Sequence, residues 1–321
     1  MKAVFIEQLG GADALRYGDF PTPEPGPGQA RVKLAASGVN FIDVYHRIGV
    51  YKLPLPMVLG SEGAGTVDAV GQGVTSLKPG DRVAYAMSRG SYAEHAVVPE
   101  SLLVKIPSGV EFRDAAATML QGMTAHYLTH STFPLKKGDT ALVHAAAGGT
   151  GALVVQMAKM LGARVITTVG SPAKAEIARK AGADEVILYS DQDFQAEVKR
   201  LTNGAGVDVV YDGVGQATFM KSLDCLRPRG MMVSFGNASG PVAEFQVLLL
   251  SQKGSLFLTR PSLNNYASPD ELKWRSGDLF RWIGEKKLAL RVEHVYKLAD
   301  AAQAHRDLEG RKTTGKLVLM V

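Results

Sequence analysis

Two rhythms of apolar residues divide the chain. Up to about residue 110 the apolar runs are short and are cut by glycine and proline. They fall at 3–6, 30–35, 65–70, 82–85 and 93–98, with turn sequences at 23–28 and 78–81 between them. Runs of this length and punctuation predict a compact, barrel-like β domain. From about residue 112, where the segment starting at Phe112 reads as helix, strand-length runs alternate with helix-length segments such as 152–161. The strands are expected at 141–144, 164–169, 185–188, 207–211, 231–235 and 255–259. Parallel strands joined by right-handed crossovers produce this alternation, so six of them predict a doubly wound α/β sheet. A further helix opens at Pro269, and 292–297, 299–306 and 316–321 then read as strand, helix, strand. That tail breaks the alternation, and folding back onto the N-terminal domain is one course open to it.

Composition narrows the picture further. With 321 residues, 46% of them hydrophobic and 21% charged, the chain can bury two cores of ordinary size. No window reaches the roughly 18 unbroken apolar residues of a membrane span, and the start MKAVFIEQLGG lacks the apolar core of a signal peptide, so the expected compartment is the cytoplasm. The single cysteine, Cys225, excludes an internal disulfide and a multi-cysteine zinc site. A net charge of +5, spread along the chain, singles out no nucleic-acid partner and suits a small anionic ligand equally well.

Candidate chemistry centres on residues 144–151, HAAAGGTG. A dinucleotide-binding βαβ unit ends its first strand in a tight glycine turn and presents the next helix N-terminus to the pyrophosphate. Gly148, Gly149 and Gly151 hold the later positions of that fingerprint, and Ala146 stands where its first glycine would be. A strand precedes them, an amphipathic helix follows, and a second strand ends at Val169. The plainer alternative is a glycine turn chosen for close helix packing. At the second strand tip, Gly170-Ser-Pro-Ala-Lys174 has no carboxylate to bond a ribose 2′-OH, whereas Ser171 can donate to a phosphate and Lys174 can neutralise one. Glu176 lies further into the helix. The site therefore favours NADPH, unless Lys174 is an ordinary solvated helix residue.

The order of motifs is more specific than the turn alone: residues 38–45 (GVNFIDVY), 60–65 (GSEGAG), 80–83 (GDRV), 145–151 (AAAGGTG), 210–215 (VYDGVG) and 233–237 (VSFGN). Over essentially its whole length the chain resembles the zinc-free, zeta-crystallin-like NADPH:quinone oxidoreductases of the medium-chain dehydrogenase/reductase superfamily. The resemblance implies a GroES-like domain over 1–118, completed by 288–321, a Rossmann NADPH-binding domain over 119–287, and a homodimer. In the zinc alcohol dehydrogenases of that superfamily a Cys and a His bind the catalytic metal at the positions of Asn40 and Ser61. Neither side chain here replaces them, so no metal is expected.

The resemblance places Asn40, Tyr45 and Tyr51 on the substrate side, and Phe41, Ile42, Asp43, Val44, Tyr45 and Tyr127 on the cofactor. Gly148, Gly149, Thr150 and Gly151 match pyrophosphate contacts, and Gly170, Ser171, Lys174 and Tyr189 the 2′-phosphoadenosine pocket. Gly213, Phe235, Gly236, Asn237, Thr259 and Arg260 match positions that wall the cofactor, and Lys316 a final contact. Each has a plainer reading: Asn40 as a helix cap, Tyr45 and Tyr127 as core aromatics, Tyr51 as loop packing. His144, at a strand end, reads as a packed residue rather than a base.

The implied activity is transfer of reducing equivalents from NADPH to a quinone, with Tyr45, Tyr51 or water as proton source. One alternative is reduction of a conjugated alkene in an enone or enoyl substrate. Another is a non-enzymatic NADPH-binding or RNA-binding role, for which Arg311, Lys312 and Lys316 offer only a small basic cluster. No membrane partner is expected.

Overall fold

The computed structural model describes all 321 residues, which pack as two compact units, Met1–Met123 with Ala267–Val321, and Thr124–Tyr266.

The unit Thr124–Tyr266 is built on six parallel strands in the order Glu185–Leu188, Arg164–Val169, Thr140–His144, Val207–Asp212, Leu226–Ser234, Phe257–Thr259. Strand order therefore reverses beside Thr140–His144, the switch point at which the carboxyl ends of a doubly wound sheet leave room for a ligand. Leu142, Ile166, Val210 and Met232 pack with Phe194, Val198 and Phe219 in the core. Helices on the sheet faces leave no solvated side, which is why these strands read as unbroken apolar runs. The last strand begins at Phe257 instead of at residue 255, because Ser255 takes a left-handed φ of 57° and ends the preceding turn.

In the other unit, Val292–Lys297, Lys316–Met320, Gln29–Val39, Glu62–Val70, Arg82–Ala86 and Val104–Lys105 follow one another across a seven-stranded sheet, and His95–Pro99 also pairs with Gln29–Val39. The tail strand runs antiparallel to the N-terminal one, with Leu317 opposite Val39 and Met320 opposite Ala36. Leu317 and Leu319 thereby join Val4, Ile6, Leu59 and Tyr92 in one core. The tail strand thus pairs into the N-terminal sheet. The helix Pro269–Gly284 packs in this unit too, although the resemblance implies a nucleotide-binding domain that reaches residue 287. Its buried Leu279 meets the bare backbone of Gly122, where a Cβ would come within 3.0 Å. No helix is long and apolar enough to cross a membrane.

Candidate active site

The turn after Thr140–His144 is closed by a bond from Gly148 N to Ala145 O, 2.9 Å, with Ala145 in the left-handed region at φ 58°. The tight turn assigned to the fingerprint's first glycine is therefore made by Ala145, not by Ala146, which is buried. A left-handed alanine costs about 1 kcal/mol or more. A Cβ on Gly151 would stand 2.5 Å from Ala145 O and 3.0 Å from Ala146 Cα, so this glycine is demanded by the chain's own backbone and the packing reading holds for it. Gly148 is the N-cap of the helix Gly149–Met160, and no side chain caps that helix. The helix start, with Gly149 and Thr150 in its first turn, fits a pyrophosphate.

At the tip of Arg164–Val169, Ser171 Oγ accepts from Lys174 N at 3.4 Å and caps the helix Pro172–Lys180, leaving its hydroxyl hydrogen free to donate. A Cβ on Gly170 would stand 2.5 Å from the Tyr189 hydroxyl, so the missing side chain lets that hydroxyl lie over the strand tip. Lys174 is half-buried in the first helical turn. Glu176 is engaged with Arg179 at 2.5 Å. The tip therefore gathers a cation and two hydroxyls without a carboxylate, a set that fits a 2′-phosphate.

Further along the carboxyl edge, the Asp212 carboxylate accepts from Val214 N (2.8 Å), Gly215 N (3.0 Å) and Thr218 Oγ1 (2.7 Å) and fixes the turn after its strand. A Cβ on Gly213 would strike the Phe235 ring at 2.9 Å, and one on Gly236 would come 2.8 Å from Gly213 Cα. The two turns interlock through bare backbone, and Asn237 closes the second by accepting from Gly240 N at 3.0 Å. Arg260, just past Thr259, donates to Ser234 O at 2.8 Å. Tyr127 is buried and stacks on Tyr266 with centroids 4.6 Å apart. His144 bonds Thr168 Oγ1 (2.8 Å) and Ser222 Oγ (2.9 Å), and burial lowers its pKa, so it is the packed, neutral strand residue expected.

In the unit that holds residues 1–123, Asn40 occupies the N-cap of the helix Phe41–Arg47, and its backbone N–H donates to Asp43 Oδ2 at 2.9 Å. Its side chain does more than cap. Asn40 Nδ2 donates to Glu62 Oε2 at 2.9 Å, and Asn40 Oδ1 accepts from Lys316 Nζ at 2.7 Å and Gln121 Nε2 at 3.2 Å. Lys316 Nζ also meets Glu62 Oε2 at 2.5 Å, with both residues almost wholly buried. The remaining carboxylate oxygen of Glu62 accepts from Leu120 N at 2.6 Å. Gly38 leaves space for the pair, since a Cβ there would lie 2.8 Å from Lys316 Cε. Lys316 is thus an interior ion-pair partner, not part of a surface basic cluster with Arg311 and Lys312.

A second branch starts at Asp43, which accepts from Ser61 Oγ at 2.8 Å and from Tyr92 OH at 3.2 Å. Burial pushes Asp43 up to about 6, against the pull of these donors and of Lys316. Tyr92 OH lies 3.1 Å from His305 Nε2, and His305 Nδ1 lies 2.9 Å from Arg47 Nη1. Arginine can only donate, so Nδ1 accepts, the neutral ring carries its proton on Nε2, and the chain runs His305 to Tyr92 to Asp43. Burial first, and then the charge of Arg47, hold His305 down to about 3. Arg47 Nη2 reaches Glu309 Oε1 at 2.7 Å.

This arrangement does not fit a metal. Where zinc relatives have two ligands, Asn40 and Ser61 are committed to Lys316, Glu62 and Asp43, and an ammonium group stands in the same network. No three His, Cys, Asp or Glu side chains converge elsewhere.

Phe41, Tyr45, Tyr51 and His46 form an aromatic group, with centroid separations of 6.2 Å for Phe41–Tyr45, 6.5 Å for Tyr45–Tyr51 and 5.8 Å for His46–Tyr51. Tyr45 is buried and Tyr51 exposed, while Ile42 is half-buried and Val44 lies in the core. Of the expected residues in this unit, Asn40, Asp43 and Lys316 share one polar network, and Phe41, Tyr45 and Tyr51 a neighbouring aromatic one. Glu62, Tyr92, His305 and Arg47 were not among the expected site residues. The available signal was a carboxylate inside GSEGAG, a motif otherwise made of glycine, serine and alanine.

Comparison with known proteins agrees with this architecture. Residues 26–108 match the alcohol dehydrogenase GroES-like domain family, and residues 149–269 the zinc-binding dehydrogenase family. The chain is 48% identical to a quinone oxidoreductase of Pseudomonas aeruginosa, over 99% of each chain. It is 44% identical to a 2-haloacrylate reductase from Burkholderia sp, over 99% of this chain and 98% of that one. The structure of Escherichia coli quinone oxidoreductase complexed with NADPH superposes with a TM-score of 0.98 at 42% identity, covering all of both chains. Kinship at this level across the full length means that the chain belongs to the zeta-crystallin-like quinone oxidoreductases of the medium-chain dehydrogenase/reductase superfamily.

Proposed function

We propose that the protein is an NADPH-dependent quinone reductase that works without a metal. The observation that carries this reading is the second strand tip, where Gly170, Ser171, Lys174 and Tyr189 offer a cation and two hydroxyls and no carboxylate. Bound NADPH would supply the reducing equivalents for an electron-poor ring. The helix start at Gly149 and Thr150 holds the pyrophosphate, and the interlocked backbone of Gly213, Phe235 and Gly236 walls the dinucleotide. Thr259 and Arg260 extend that wall. In the other unit Asn40 and Asp43 fix the helix Phe41–Arg47, which carries Tyr45 into the aromatic group with Tyr51. These rings suit a planar acceptor, and their hydroxyls are the candidate proton donors to the reduced product. Lys316 acts by positioning Asn40 through the Glu62 pair.

Steady-state NADPH oxidation with benzoquinone and naphthoquinone acceptors tests the proposal, and inactivity across both classes would defeat it. The similarity to a 2-haloacrylate reductase supports a second reading, reduction of a conjugated carbon–carbon double bond. Product analysis with a matched enone and quinone separates the two. We also read the protein as a cytoplasmic homodimer, which sedimentation of the purified protein checks.

A further inference from the structure

The helix Phe41–Arg47 is held at its far end by its last side chain. Arg47 is fully buried, and its guanidinium donates to two other segments: Nε to Gly10 O at 3.1 Å, and Nη1 and Nη2 to His305 Nδ1 at 2.9 Å and Glu309 Oε1 at 2.7 Å. Gly10 N returns a bond to Arg47 O at 3.1 Å. His305 and Glu309 lie on the tail helix Ala301–Glu309, whose Arg306 pairs with Asp13 at 2.8 Å, so the tail helix and residues 10–13 are tied to each other as well as to Arg47. The chain past this end is bonded back onto the helix: Ile48 N donates to Val44 O at 2.9 Å and Val50 N to Tyr45 O at 3.0 Å, immediately before Tyr51. A Cβ on Gly49, at φ 80°, would stand 2.5 Å from Leu9 Cδ1, so Leu9 packs directly on bare backbone there. Tyr45 and Tyr51 are therefore linked to the end of the helix, and Arg47 fixes that end. Stability alone gives no reason for a buried guanidinium, because apolar side chains in place of a buried ion pair are often neutral or stabilising. The planar fork supplies direction instead, since its donors point along fixed lines and each partner occupies one.

We propose that Arg47 is a positioning residue for the acceptor: through it the tail helix sets the placement of Tyr45 and Tyr51, so that affinity for the acceptor ring depends on a guanidinium bonded to other segments. The inference rests on the quinone-reductase reading and on Tyr45 and Tyr51 as the acceptor side. It is tested in the wild type, Arg47→Met, Arg47→Lys and Glu309→Gln by kcat and KM for a naphthoquinone, Kd for NADPH, and amide exchange along the chain. Arg47→Met should raise the KM for the naphthoquinone about fivefold, the scale of one aromatic contact, while kcat changes by less than about twofold. The Kd for NADPH should also stay within about twofold, because Asn40 and Asp43 hold the start of the helix independently. Arg47→Lys keeps a charge for Glu309 but cannot meet all three partners, and Glu309→Gln removes the charge of one; both should fall between Arg47→Met and wild type, and both keep the test open if Arg47→Met does not fold. Exchange at residues 48–51 should quicken in the same order, with the strand Gln29–Val39 as slow as in wild type. An unchanged KM in the folded variants, a KM and an NADPH Kd that rise together, or exchange that quickens everywhere alike would overturn the proposal. A wild type that turns over no quinone would defeat the quinone reading instead, and the exchange pattern would still decide the role of Arg47.

Discussion

The Glu62–Lys316 pair offers a sharp test of what holds the tail strand to the N-terminal sheet. Both side chains are essentially inaccessible, and their charged atoms stand 2.5 Å apart. The ammonium has a second partner in Asn40, and the carboxylate two further donors, Asn40 Nδ2 and Leu120 N. Lys316→Met leaves a buried carboxylate with neutral donors only, and Glu62→Gln leaves a buried ammonium facing an amide. Removing one partner of such a pair costs about 3–5 kcal/mol, whereas removing both leaves no uncompensated charge. Each single variant should therefore lose about 3 kcal/mol or more, and the Glu62→Gln/Lys316→Met double variant should fall short of the sum by about 1.5 kcal/mol or more. Urea titration followed by tryptophan fluorescence reads the right unit, because the only two tryptophans, Trp274 and Trp282, lie on the helix Pro269–Gly284 that packs there. Single variants within about 1 kcal/mol of wild type, with additive effects, would refute a buried, mutually dependent pair.

Other expectations follow from the same contacts. Asp43, pushed up to about 6 from 3.8, contributes stability that is present at low pH and lost as pH rises through 6; His305, held near 3 from 6.5, contributes stability present above 6.5 and lost as pH falls toward 3. The two slopes oppose each other between about pH 4 and 6, so Asp43→Asn should lose about 1.4 kcal/mol per pH unit more than wild type on acidification across that window, as read by urea midpoints; parallel profiles would contradict the assignment. Gly151→Ala drives a Cβ against Ala145 and should cost about 1–3 kcal/mol of stability whether or not coenzyme is present, checked by thermal unfolding. Gly170→Ala meets only the hydroxyl end of the exposed Tyr189, so its Tm should change little while its Kd for NADPH rises. Prolonged dialysis against a chelator should leave NADPH oxidation unchanged, as measured before and after dialysis.

What the sequence discloses and what it hides divide along a physical line. The six parallel strands are legible because helices cover both sheet faces and each strand is then a continuous apolar run, as in Thr140–His144. The carboxylate-free strand tip is legible because Gly170 to Lys174 are adjacent in the chain. The conformation of Ala145 is not, since a methyl group in a left-handed turn resembles any other alanine in the sequence. The role of Gly151 is equally hidden, because a glycine needed for its own turn and one left bare for a phosphate are written alike. The ion pair joins residues 254 positions apart and the Tyr92–His305 bond residues 213 apart, so only strand pairing brings them together. The placement of Pro269–Gly284 follows from Leu279 packing over Gly122, a contact no periodicity records.

The central claim is that this strand tip selects the phosphorylated coenzyme, and the ratio of kcat/KM for NADPH to that for NADH in wild type and Lys174→Ala tests it most directly. The lost charge-assisted bond is worth about 1.5–3 kcal/mol before screening, so the ratio should fall by about tenfold or more, with NADH nearly unaffected. An equal loss with both coenzymes, or a wild type that prefers NADH, would contradict the account.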